Sequence, residues 1–149
     1  MSEGVGRYMA VDYGTRRIGL AISDPLGMIA TPAGFITRRA GKRAPVAELI
    51  RRAQQLDARG FVVGLPLDGS GEETDWTREV RRVGDELAKR TGLPVHFVDE
   101  RFTTARAIRG MREAESTRRE KGDVDAASAA VLLQFFLGTA GKPSGENTE

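Results

Sequence analysis

The sequence predicts an α/β fold built on a mixed sheet of five strands, and three observations predict it. The first third of the chain carries three strand-like runs joined by short turns, the pattern of an antiparallel meander. From Pro45 onward, helical spacing alternates with short apolar strands, which points to parallel pairing through crossovers. A length of 149 residues suits one domain, read here as residues 1–138 with a disordered tail over 139–149.

Each element has its own signal. Arg7 to Tyr13 reads as a strand with Met9 and Val11 on one face, and Gly14-Thr15-Arg16-Arg17 as the hairpin connection to a second strand, Ile18 to Ser23. Met28 to Ile36 is a third strand, placed at an edge or a bulge by Pro32. Pro45 to Ala58 carries Val46, Leu49, Ile50, Ala53 and Leu56 at helical spacing. Phe61 to Pro66 is a short apolar run suited to burial on both faces, followed by a loop over Leu67 to Ser70. A long amphipathic helix is expected from Gly71 to Thr91, with Gly92 as its stop. Val95 to Val98 is the last strand, and Thr103 or Thr104 caps a helix running to about Glu113. Ala114 to Gly122 is polar and reads as a mobile loop, and Asp123 caps a final helix reaching Leu137. The strand after the first crossover should lie parallel to the first, which brings their C-terminal ends to one edge of the sheet. That edge is where α/β sheets place ligands.

Composition narrows the class. Apolar residues make up 40% and charged residues 30%, a globular balance. There is no cysteine, which excludes disulfides, zinc–thiolate sites and cysteine nucleophiles and fits a cytoplasmic location. No run approaches a membrane span, and the N-terminus lacks the pattern of a secretory signal. The net charge is only +2, yet the pI is about 9.3 and the arginines cluster. One cluster is Arg38, Arg39, Lys42 and Arg43; another runs from Arg101 through Arg118, Arg119 and Lys121. Such clusters either follow a phosphate backbone or solvate helix faces.

Three acids sit where elements begin or end. Asp12 closes the first strand, Glu100 follows the last, and Asp125 falls in the first turn of the final helix. If the three converge, their mutual repulsion is relieved by a cation, and oxygen ligands suit Mg²⁺ or Mn²⁺. Such metals assist phosphodiester hydrolysis. The same acids read equally as turn and cap residues. Arg16 and Arg17 lie beside Asp12 and can meet phosphate or solvent, and Ser70 with its loop amides can bind a phosphate. Arg101 can meet substrate or pair with Asp99. His96 and Trp76 read mainly as packing residues.

Four blocks carry a family resemblance. Asp12-Tyr13-Gly14-Thr15-Arg16-Arg17-Ile18-Gly19-Leu20-Ala21 with Ser23-Asp24-Pro25 resembles the opening of the YqgF/RuvX family. Gly64-Leu65-Pro66-Leu67 with Asp68-Gly69-Ser70-Gly71 is similar to its second block, and Asp99-Glu100-Arg101-Phe102-Thr103-Thr104 to its third. Lys121 with Val124-Asp125, Ala129-Ala130 and Leu132-Leu133-Gln134 matches its last. The resemblance implies an RNase H-like fold, and acidic site residues at Asp12, Glu100 and Asp125 binding Mg²⁺ or Mn²⁺. One departure is Ala126, where a basic residue is frequent; Asp123 stands as an alternative to Asp125.

The function so implied is a nuclease maturing the 5′ end of 16S rRNA from its precursor. The alternatives are a resolvase of branched DNA and a nucleic-acid binder that does not cut. The partner is then nucleic acid, gripped by Arg16, Arg17, Ser70, Arg101, Arg118, Arg119 and Lys121, with the protein a monomer or homodimer. A phosphotransferase of related fold ranks low, because the chain is too short for paired domains.

Overall fold

The computed structural model describes residues 6–39, 41–111 and 117–140. Strand β1 (Tyr8–Tyr13) pairs antiparallel with β2 (Arg17–Ser23), and β2 pairs antiparallel with β3 (Ala30–Thr37). Helix α1 (Val46–Gln55) crosses over to β4 (Gly60–Leu65), which lies parallel to β1. Helix α2 (Asp75–Thr91) leads to β5 (Val95–Asp99), parallel to β4. The order across the sheet is β3-β2-β1-β4-β5, so the C-terminal ends of β1, β4 and β5 share one edge, as expected. A 3-10 turn (Glu100–Phe102), helix α3 (Ala105–Gly110) and helix α4 (Arg118–Ala140) complete the described chain.

Side-chain alternation divides the core into two layers. Met9, Val11 and Tyr13 of β1, with Phe61, Val63 and Leu65 of β4, face α1 and α2. Ala10, Ala21 and Val62 face the other way, against Leu132, Leu133 and Leu137 of α4. The central strand β4 is buried along its whole length, which explains its unbroken apolar run. Pro32 sits on the edge strand β3, at a register shift opposite Gly19 to Ala21. Both positions tolerate a residue that has no N–H to donate.

Several boundaries differ from those expected. Helix α2 starts at Asp75 rather than Gly71, because Thr74 and Thr77 form a reciprocal cap there. Helix α4 starts at Arg118, so Arg118 to Gly122 is helical where a mobile loop was expected. Thr117 is the cap, not Asp123: its hydroxyl accepts from the Glu120 N–H at 3.0 Å, while Glu120 accepts from the Thr117 N–H at 3.1 Å. The remainder of the expected loop, with the stretch of the preceding helix beyond Met111, lies outside the described residues. So does the tail beyond Ala140, and helix α4 itself runs three residues past Leu137.

Candidate active site

Asp12 is the next-to-last residue of β1, on the face that Ala10 turns toward α4. It is only 2% exposed. Across the sheet, Gly19 of β2 lies directly opposite it. On its other side β4 runs in register from Tyr8↔Gly60 to Val11↔Val63, so the next step brings Gly64 beside Asp12. Asp12 is thus flanked by two residues without side chains.

Those glycines make room for the other two acids. A Cβ on Gly19 would collide with the backbone carbonyl oxygen of Asp125, so α4 rests directly on β2 at this point. A Cβ on Gly64 would lie 2.9 Å from Oε2 of Glu100 and 2.8 Å from Cδ1 of Leu132. Real Cβ atoms do not approach so closely, hence glycine at both positions. Glu100 and Asp125 are each 1% exposed. Three buried carboxylate residues therefore gather around one row of the sheet, at the edge where the parallel strands end. Asp125 arrives there from the third turn of α4, about 10 Å along the axis from Arg118, not from the first turn. Asp123, the alternative, is exposed, whereas Asp125 is buried.

The arginines divide. Arg17 is buried, and its Nε donates to Oδ2 of Asp125 at 2.9 Å. It was expected to meet phosphate, but its Nε is committed to an acid of the site. Arg16 is exposed on the β1–β2 turn. Arg118 from α4 and Arg38 from the end of β3 join Arg16 and Arg17 around one cavity of about 350 Å³, with Thr15 and Thr37. Arg119 is exposed and Lys121 half-buried on the same first turn of α4. Arg38 is the member that the sequence did not single out for this site. The signal was present in the basic cluster Arg38-Arg39, but its pairing with the hairpin was not. Its backbone N–H donates to the Arg16 carbonyl at 2.7 Å and its Nη1 to the Gly14 carbonyl at 3.0 Å.

The loop after β4 departs from its expected role. Asp68 Oδ1 accepts from the Ser70 hydroxyl at 2.8 Å, the Ser70 N–H at 2.9 Å and the Glu72 N–H at 2.9 Å. These donors, the Ser70 hydroxyl foremost, hold the Asp68 carboxyl below the usual carboxylate range. Ser70 and its neighbouring amides thus serve an internal carboxylate, whose charge opposes a phosphate at the same point. Arg101 pairs with Asp99 through Nε at 3.1 Å and Nη2 at 2.7 Å, the second of the two roles expected for it. Trp76 stacks on Tyr13 with centroids 5.5 Å apart, and His96 packs against Phe136 at 4.9 Å and Tyr8 at 5.8 Å. Both are packing residues, as expected.

A model of the family RuvX, described as Holliday junction resolvase, matches residues 6–139. The chain belongs to the RuvX family. This RuvX-family chain is 45% identical over 133 residues to a protein of Koribacter versatilis (strain Ellin345) named "Putative pre-16S rRNA nuclease". That match covers 89% of this chain and 86% of the relative. Proteins of the same name from Clavibacter michiganensis subsp. michiganensis (strain NCPPB 382) and Rickettsia bellii (strain OSU 85-389) are 39% and 36% identical. The former match covers 95% of this chain and 90% of the relative, the latter 90% and 87%. Among solved structures, T. thermophilus RuvC in complex with Holliday junction substrate superposes with a TM-score of 0.56 at 14% identity. The superposition covers 91% of this chain and 96% of RuvC. At that identity the likeness establishes the fold, which is RNase H-like. The family is one of nucleases. No helix among the described residues is long and apolar enough to cross a membrane.

Proposed function

We propose that the chain is a metal-dependent nuclease that hydrolyses phosphodiester bonds in the 5′ region of precursor 16S rRNA. The observation that carries the reading is the burial of Asp12, Glu100 and Asp125 around one row of the sheet, with glycines on either side of Asp12. Burying acids together is costly, and a fold keeps them where a cation is to be held. The donor set fits Mg²⁺ or Mn²⁺: all three are hard carboxylate oxygens. Among the described residues no group of three acidic or histidine side chains is already close enough together to hold a metal ion. Mg²⁺ does not require one, since it keeps several waters and takes one or two carboxylates together with substrate oxygens.

When bound, such an ion supplies activation of water and stabilisation of the charge that develops on the leaving oxygen. The chain's own residues do the rest. Asp12, Glu100 and Asp125 would hold the ion. Arg17 orients Asp125 and offsets its charge. Arg16, Arg118, Arg119 and Lys121 attract the nucleic-acid backbone to this edge. Arg101, kept in place by Asp99, stands next to Glu100 to meet the strand. Hydrolysis adds water across one P–O bond, so no co-reactant is needed. The names of the relatives favour rRNA as substrate, and a cytoplasmic place of action agrees with the cysteine-free sequence.

A resolvase acting on branched DNA is the second reading, favoured by the description of the family model. Two symmetric cuts require a homodimer, whereas a single cut in rRNA does not. The test sets a precursor 16S 5′ fragment beside a four-way DNA junction, with Mg²⁺ or Mn²⁺ and Asp12→Asn as control. Metal-dependent cutting of the RNA alone, lost in the control, supports the first reading. Paired junction cuts support the second, and binding without cutting of either refutes both.

A further inference from the structure

We propose that the four-arginine cavity beside Asp125 seats a single backbone phosphate of the nucleic acid, and that Arg17 couples its filling to cation binding at Asp125. The inference rests on the nuclease reading above and adds a specific seat and a coupling to it. The cavity, about 350 Å³, is lined by Thr15, Arg16, Arg17, Thr37, Arg38 and Arg118. At about 30 Å³ for each water, it holds a phosphate group and several waters.

Charge is out of balance there. Four arginines line the cavity, and Asp125 and Glu79 each pair with one of them, Arg17 at 2.9 Å and Arg38 at 3.7 Å. Among the described residues no carboxylate lies within ion-pair distance of Arg16 or Arg118. Two positive charges with no carboxylate partner among the described residues therefore share a concave site, an attraction for an oxyanion. The site is also built rather than merely basic. Arg38 lies over the Tyr13 ring at 4.6 Å with its Nη1 on Gly14, so its guanidinium is fixed before any ligand arrives. Its Nε is buried and has no protein acceptor. A donor left in that state costs free energy. The threonine hydroxyls add neutral donors, and arginine forks match phosphate geometry.

Arg17 belongs to both sites. Its Nε is committed to Asp125, while the residue also lines the cavity. A phosphate in the cavity draws on the same fork and withdraws positive charge from Asp125. A cation at Asp125 in turn frees the fork for the phosphate. The two ligands should therefore bind better together than apart, and by the same factor in both directions. Arg17 is in this sense a positioning residue: it prepares Asp125 when the strand is in place.

The full-length protein, stripped of metal with a chelator, tests the seat through the ¹⁵N signals of its arginine side chains. Dimethyl phosphate is the probe for a backbone diester and methyl phosphate for a chain-end monoester, with chloride at matched ionic strength. Dimethyl phosphate is expected to shift the Arg17 Nε–H signal saturably, and Arg16→Gln or Arg118→Gln, both at exposed positions, to weaken it about tenfold. A response to methyl phosphate alone overturns the backbone assignment, and a shift no larger than that from chloride overturns the seat. Mn²⁺ affinity, read by electron paramagnetic resonance, is expected to rise several-fold with dimethyl phosphate in the native chain and not in Arg17→Lys. An equal rise in both overturns the coupling. If no nucleic acid is cut yet these shifts persist, the nuclease reading fails and the anion seat stands; cutting without the shifts removes the seat alone.

Discussion

Arg17 and Asp125 are separated by 108 positions in sequence, and their side chains are 10% and 2% exposed in an ion pair of 2.9 Å. Removing one partner of such a pair leaves a buried charge behind. Arg17→Gln is accordingly expected to lower stability by about 3 kcal/mol, measured as a shift of the urea midpoint. A change within about 0.5 kcal/mol would mean that solvent reaches Asp125 freely. Gly19 offers a sharper steric test, since a single methyl group meets the Asp125 carbonyl. Gly19→Ala should cost about 2 kcal/mol by forcing α4 off the sheet, and cleavage should fall with it. His96 bears on pH. Burial pushes its imidazole below its ordinary value of 6.5, so on acidification the unfolded chain takes up the proton first. Its contribution is intact above the unfolded value and is lost as pH falls through the folded one. Thermal melts should show stability declining below about pH 6.5, and His96→Phe, which keeps the packing with Tyr8 and Phe136, should reduce that decline.

At the scale of elements, the strands and the first two helices were legible because burial leaves a period in the sequence. β4 is buried on both faces and reads as a continuous apolar run; α1 turns Val46, Leu49 and Ala53 inward and reads as an amphipathic helix. The start of α4 was not legible from the same signal. Arg118 to Lys121 is wholly polar, and hydrophobic spacing carries no information where a helix projects from the core. The capping pattern Thr117-Arg118-Arg119-Glu120 did mark it, independently of burial. The consequence is chemical, because a helical first turn holds Arg118 in a fixed place beside Arg16 and Arg17. Thr117→Ala should lower stability by about 1 kcal/mol. Unchanged urea unfolding would show that this turn contributes little to the fold.

For the whole molecule, the parallel strands β1, β4 and β5 end at one edge, and chain topology alone delivers Asp12 and Glu100 to it. That much follows from strand order and crossover handedness; the spacing suited turn and cap acids too, and it was the family resemblance that singled out the three. The pairing of Arg17 with Asp125, and of Arg38 with the hairpin, could not be read from sequence, because local spacing says nothing of contacts made by long side chains across layers. The central claim is that the three acids act as one site. Residues that act as a unit do not add, since losing one already removes most of what the others contribute. Single-turnover cleavage of the precursor RNA by Asp12→Asn, Glu100→Gln and the double variant tests this most directly, with circular dichroism to verify folding. Each single change is expected to slow cleavage by about 10³-fold or more, and the double variant to be little slower than the worse single. Independent, multiplying losses, or single variants that retain most of the native rate, would contradict it.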